Sequence, residues 1–206
     1  MACGIFQVAR KRVEMNIQDS KTALRAKIRA ALEKISPAVR AVESIDLCER
    51  LQAQIPSAHT ILFFAPLPDE LDVWPMLELS LALGTNCALP FFDAAEKIYR
   101  AKQIKKLATD IVPGKFGVRE PAANCLAIPL DQFDLVLVPG IAFDLGGSRL
   151  GRGRGFYDRL LGKISGVKCG LGYDFQLLEK IPVEPHDAKV DFVFTPSRCV
   201  KTGTRL

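Results

Sequence analysis

The sequence predicts an α/β protein, a single three-layer α/β/α domain built on a mostly parallel sheet. Three observations carry that prediction. The strand candidates, clearest at 134–140 in "DLVLVPG", are short apolar runs without alternation, as expected of strands buried on both faces. They are separated by segments with helical spacing, the rhythm of a sheet covered on two sides. The chain has 206 residues, 49% hydrophobic and 25% charged, enough for one domain with a real core and unlike a disordered chain.

The elements follow in order. Residues 1–18 show no clean periodicity and contain a second methionine, Met15, so they are expected to be a disordered extension. A mitochondrial presequence is a weaker reading, given the short stretch and the acidic Glu14. The domain is expected over 19–200, with 201–206 as a tail. Ser20 predicts the cap of a first helix over 21–35, apolar at Leu24, Ile28, Ala31, Leu32 and Ile35. Ser36 followed by Pro37 opens a second helix. "TILFFAP" at 60–66 predicts a buried strand, and 72–84 a helix capped by Asp72 and stopped by Gly84. Strands are predicted in "NCALPFF" (86–92) and "KIYRAKQI" (97–104), and 104–130 reads as loop-rich from its prolines and glycines. Beyond 140 come a helix from Phe156, a strand over 166–173, a short helix "FQLLEKI" (175–181) and a last strand "KVDFVFT" (189–195).

Composition excludes several classes. No apolar run is long enough to span a bilayer, and no signal peptide opens the chain, so a cytoplasmic protein is expected. Six cysteines without a C-x-x-C pair argue for free thiols, and two histidines nearly exclude a multi-histidine metal site. The net charge of +5 suits an anionic small ligand as well as RNA.

The chemistry concentrates in "GRGRGFYDRLL" at 151–161. Gly151, Gly153 and Gly155 let backbone amides approach a ligand and form an anion-binding nest. The helix beginning near Phe156 points its positive end to the same place. Arg149, Arg152 and Arg154 add guanidinium forks suited to phosphate, and Asp158 is available to a magnesium ion. The loop is neither G-x-x-x-x-G-K-[ST] nor G-x-G-x-x-G. Without more, a surface turn is as good a reading of it as a phosphate site.

The longer string "VPGIAFDLGGSRLGRGRGFYDRLL" (138–161) resembles the signature of the 5-formyltetrahydrofolate cyclo-ligase family: V-P-G-x-x-F-D, a short turn, then R-L-G-R-G-x-G-Y-Y-D. Phe156 departs from it, standing where the family has tyrosine. "KTALR" at 21–25 is similar to the family's K-x-x-L-R, and "PDELDV" at 68–73 to its acidic turn, with Val73 where threonine is usual. "KFGVREP" at 115–121 and the segment 171–195 extend the likeness over roughly residues 20–196.

The resemblance implies a Rossmann-like domain of the type shared with sugar-phosphate isomerases and CoA transferases. It implies ATP- and magnesium-dependent closure of 5-formyltetrahydrofolate to 5,10-methenyltetrahydrofolate, releasing ADP and phosphate. It assigns catalysis to Arg152, Arg154 and Tyr157. ATP falls to Lys21, Thr22, Ala23, Leu24, Arg25, Arg149, Leu150, Gly151, Arg152, Gly153, Arg154, Gly155, Phe156 and Tyr157. Folate falls to Ala65, Glu70 and Phe116 together with residues 152–156, and magnesium to Asp158 and Asp187. Lys21 and Arg25, one turn apart with Arg29 continuing the row, would otherwise read as a solvated face; an anionic ligand offsets their repulsion. Asp191 is expected to be structural and His186 a loop residue. A monomer acting on small molecules is expected, without nucleic acid or membrane partners. The rivals are a sugar-phosphate or acyl-CoA enzyme on the same scaffold and a basic RNA-binding protein, which would show strongly salt-dependent binding.

Overall fold

A computed structural model describes residues 2–54, 58–114, 117–185 and 187–203, with side chains from Ile17 onward. Helices are α1 (Ala2–Leu32), α2 (Pro37–Gln54), α3 (Trp74–Ala82), α4 (Leu107–Asp110) and α5 (Phe156–Leu161). Strands are β1 (Thr60–Leu62), β2 (Asn86–Asp93), β3 (Ile98–Ile104), β4 (Ile111–Pro113), β5 (Arg119–Pro121), β6 (Ala127–Ile128) and β7 (Leu135–Pro139). They continue with β8 (Ala142–Asp144), β9 (Arg149–Leu150), β10 (Val167–Leu171), β11 (Leu177–Leu178), β12 (Phe192–Phe194) and β13 (Cys199–Lys201).

The central sheet has eight strands in the order β13-β12-β10-β7-β1-β2-β3-β6. From β12 to β2 the pairing is parallel; β13, β3 and β6 add antiparallel edges. All five residues of β7 are buried, because it sits in mid-sheet with both faces covered. Alternate side chains serve opposite layers. Leu135 and Leu137, with Ile61, Cys169 and Phe194, pack against Ile28, Leu32, Leu47, Leu51 and Leu77 of α1, α2 and α3. Val136 and Val138, with Leu62 and Val193, pack against Phe143 and against Leu160 and Leu161 of α5. The second layer is completed by a three-stranded sheet, β11-β8-β9.

The buried Asp144 builds the turn between β8 and β9. Its Oδ1 accepts the N–H groups of Gly146 (3.0 Å) and Ser148 (2.8 Å), and its Oδ2 that of Ile181 (3.1 Å). Gly147 has φ +81, and a Cβ there would meet Val190 O at 2.4 Å.

Several expected boundaries shift. α1 does not begin after Ser20 but runs through it from Ala2, since residues 2–19 contain helix-forming Arg, Lys, Gln, Met and Glu and no proline. Ser36 caps α2 as expected, its Oγ accepting the Val39 N–H at 3.2 Å. Asp72 acts one position before the α3 cap, accepting the Trp74 N–H at 2.9 Å. "TILFFAP" forms ladder only over Thr60–Leu62. The helix expected in "FQLLEKI" is a 3-10 turn, Asp174–Gln176, leading into β11. The buried Gln176 explains this: it takes the Tyr173 N–H and donates to the carbonyls of Gly140 (3.0 Å) and Ile141 (2.9 Å), and Leu177 pairs with Phe143. The loop-rich stretch carries α4 and three short strands, and the last strand turns back as β13.

Phe143 wedges against two glycines. A Cβ on Gly140 would lie 2.7 Å from its ring, and one on Gly170 2.5 Å from it. Gly170→Ala is therefore expected to lower stability by about 1–3 kcal/mol, read as a lower denaturant midpoint. Phe143→Leu in the same chain should recover part of that loss, because the two changes share one space.

Candidate active site

The glycine-arginine loop lies beside the carboxyl end of β7. Ile141 N–H donates to Leu150 O at 2.7 Å, folding the end of β9 back over the strand, and Arg149 Nη1 reaches Pro139 O at 3.4 Å. Gly153 (φ +100) and Gly155 (φ +61) need left-handed backbone, which favours glycine. At Gly151 the reason is proximity, since a Cβ there would come within 2.7 Å of Arg149 Nη1.

Arg152 and Arg154 lie on this loop and Arg149 just before it, Arg25 and Arg159 donate to its carbonyls, and Lys21 stands one turn before Arg25 on α1. Arg149 is buried and pairs through Nη2 with Asp158 Oδ1 at 2.8 Å; its guanidinium lies 5.4 Å from the Tyr157 ring centroid. Its Nε is buried without a hydrogen-bond partner. Arg25 donates through Nε to Gly151 O at 2.9 Å. Arg152 donates to Asp69 Oδ1 (2.6 Å) and Glu70 Oε1 (3.0 Å), bringing the turn after β1 to the loop. Lys21, 4% exposed, holds Glu184 Oε2 at 2.7 Å and Asp187 Oδ2 at 2.6 Å. Arg154 is exposed on the loop.

The expected ATP segment of α1 divides by helical geometry, in which 100° per residue separates neighbours. Lys21 and Arg25 share the inward face, Thr22 and Ala23 are exposed, and Leu24 packs on the core. Leu150 is buried in the core. Ala65 is half-buried in the segment leading to Glu70. Phe116 and His186 lie outside the described residues. Asp191 accepts the Lys168 N–H at 2.8 Å between adjacent strands, in keeping with a structural role.

Burial pushes the Glu70 carboxyl above its usual range, against the lowering effects of the Leu67 N–H and the Arg152 guanidinium. Burial, helped by the Glu70 charge, likewise raises the Tyr157 hydroxyl. Phe156, the departure from the family pattern, packs between Tyr99 (centroids 4.0 Å apart) and Tyr157 (4.9 Å), and Tyr99 continues to Phe92 at 4.9 Å. A ring suffices for this packing.

Asp69, Glu184, Phe92 and Tyr99 escape sequence reasoning. Asp69 and Glu184 act on residues 83 and 163 positions away, and no local spacing signals such a pair.

The chain is similar to known proteins. The model of the 5-formyltetrahydrofolate cyclo-ligase family matches residues 17–196. A 5-formyltetrahydrofolate cyclo-ligase of Mycolicibacterium smegmatis is 34% identical over 184 residues, covering 87% of this chain and 95% of the relative. One from Mus musculus is 27% identical over 197 residues, covering 87% and 95%. The solved structure of an Aquifex aeolicus 5,10-methenyltetrahydrofolate synthetase superposes with a TM-score of 0.80 at 28% identity, covering 90% of this chain and 95% of that one. With its glycine-arginine loop, the α1 cations and the acidic turn after β1 assembled at one end of the sheet, this chain belongs to the 5-formyltetrahydrofolate cyclo-ligase family.

Proposed function

We propose that this enzyme uses ATP and magnesium to close 5-formyltetrahydrofolate to 5,10-methenyltetrahydrofolate, releasing ADP and phosphate. The observation that carries the reading is the gathering of Arg25, Arg149 and Arg152 at one glycine loop bordered by Asp158, with Lys21 one turn from Arg25 and paired with Asp187. The formyl oxygen attacks the γ-phosphorus and ADP leaves. Nitrogen 10 then attacks the activated carbon, loses its proton, and phosphate departs as the ring closes. No protein nucleophile takes part, so the chain contributes positioning and charge neutralisation.

Lys21, Arg25 and the loop amides receive the polyphosphate, and Arg149 sets Asp158 and the Tyr157 ring. Arg152 and Arg154 neutralise charge at the transferring group, with Tyr157 beside them. Glu70 accepts N–H donors of the pterin, and Ala65 and Phe156 border the folate; Phe116, given to folate by the resemblance, lies outside the described residues. Asp158 and Asp187 would hold magnesium. Each engages protein donors through one oxygen among the described residues, and two hard carboxylates suit an ion that keeps water and phosphate as its other ligands. The described residues include no cluster of three or more His, Cys, Asp or Glu fit for a metal, in keeping with a site that needs the nucleotide's oxygens. When bound, the ion draws charge from the phosphate oxygens.

An RNA-binding reading is less favoured, because the family to which this chain belongs is one of folate cyclo-ligases. A cytoplasmic monomer is the accompanying expectation; among the described residues no helix is long and apolar enough to cross a membrane.

Purified protein given 5-formyltetrahydrofolate, ATP and magnesium should raise near-ultraviolet absorbance as methenyltetrahydrofolate forms; a flat trace with every component present would refute the reading. Asp158→Asn should lower turnover by about a hundredfold, the scale of one lost charge-stabilising group, with unchanged far-ultraviolet circular dichroism. A pH effect follows from Glu70. Its carboxyl is raised in the free protein, whereas pterin N–H donors favour the ionised form and lower it. The KM for folate should therefore fall as pH rises through the raised value, after the protein-free rate is subtracted, and Glu70→Gln should abolish that trend.

A further inference from the structure

The loop 151–155 is fastened by different elements along its length. Gly151 is held through its carbonyl by Arg25 of α1, and Arg152 through its side chain by Asp69 and Glu70. The far end is fastened by two residues that the proposed reaction does not use, Tyr99 of β3 and Arg159 of α5. Arg159 Nη2 carries two N–H groups and has two acceptors, Tyr99 Oη at 3.0 Å and the Arg154 carbonyl at 3.2 Å. The Arg159 guanidinium lies 5.2 Å from the Tyr99 ring centroid, and that ring packs on Phe156 at 4.0 Å.

This end of the loop needs an outside hold. Gly155 is the left-handed cap residue of α5 and offers the helix no side chain, and its carbonyl meets the Arg159 N–H only at 3.4 Å. Gly153, with φ +100, is left-handed too. Arg154 thus sits between two residues whose backbone is intrinsically free. The bond from Arg159 sets the peptide from which the Arg154 side chain departs. Arg159 is exposed, and freezing a long exposed side chain costs entropy. Tyr99 offsets that cost with a fixed acceptor, because it belongs to the sheet, paired opposite Phe92 of β2.

We propose that Tyr99 and Arg159 are positioning residues: Tyr99 holds the Arg159 guanidinium, and Arg159 fixes the Arg154 peptide so that Arg154 is aimed at the transferring phosphoryl group. Both act through Arg154. The part given to Arg154 belongs to the ATP reading of the site, and this inference rests on it.

The test follows methenyltetrahydrofolate formation by the full chain over a range of ATP and 5-formyltetrahydrofolate. Tyr99→Phe keeps the ring on Phe156 and removes only the hydroxyl. Its kcat should fall about tenfold, the scale of a lost hydrogen bond to a charged group, with each KM within about threefold and the thermal midpoint unchanged. Arg159→Gln should lower kcat by a similar factor, and the pair by no more than either alone, because the two form one chain of contacts. Arg154→Ala leaves nothing to aim, so adding Tyr99→Phe to it should change kcat by less than about twofold. A purely structural role would lower kcat there as much as in the native chain. An unchanged kcat in either single variant, a raised KM in its place, losses that multiply in the pair, or a full tenfold fall on the Arg154→Ala background would each overturn the proposal. A native chain that yields no product, or an Arg154→Ala chain that turns over like the native one, defeats the ATP reading or its use of Arg154, and the positioning with it. Native turnover that Arg154→Ala lowers and Tyr99→Phe does not would refute the positioning alone.

Discussion

A buried ammonium must have an anion beside it, and much of this molecule is arranged around that requirement at Lys21. Leaving such a charge unpaired is far more costly than any single packing contact. Lys21 sits on the first helix, and its two carboxylates lie near the end of the chain. Arg25, one turn further on, reaches the glycine-arginine loop. The α1 helix thus reaches from one loop to the other, while its other face contributes Ile28 and Leu32 to the core. The same residues that would meet phosphate secure the helix in its absence.

Such double duty recurs around the loop. Arg149 is held by Asp158 and stacks near Tyr157, so the first turn of α5 is fixed by a side chain from β9. Arg152 spans to Asp69 and Glu70 and joins the turn after β1 to the opposite side of the site. Protein partners hold these cations in place, so the geometry proposed to receive a polyanion is set by the fold itself.

Much of this was legible in the sequence. β7 was plain because a strand buried on both faces must be uniformly apolar; helical spacing put Lys21 and Arg25 on one face, but only the family resemblance set them apart from a solvated charged face. The glycines of the loop, followed by Asp158, were equally visible. What was not legible depends on tertiary choice. "FQLLEKI" has acceptable helix formers, yet Gln176 finds backbone carbonyls beyond β7 and Leu177 finds a strand partner, and both outweigh propensity. β13 is three residues long and gains its register only from β12. Asp69 and Glu184 look like ordinary surface acids until the fold brings Arg152 and Lys21 to them. Phe156 reads as a lost hydroxyl in the pattern, whereas its surroundings are the rings of Tyr99 and Tyr157.

The distance in sequence between Lys21 and its carboxylates bears on the chain's birth. The bonds to Glu184 and Asp187 span 163 and 166 residues. As the chain leaves the ribosome, the first helix emerges with a lysine whose counter-charges have yet to be translated. The parallel strands from β1 to β10 can collect behind it, but the helix cannot settle its polar face until the segment before β12 has emerged. The last fifth of the protein is thus the part that locks the first, and a chain cut short before Glu184 would leave that lysine without its anions however well the sheet had formed.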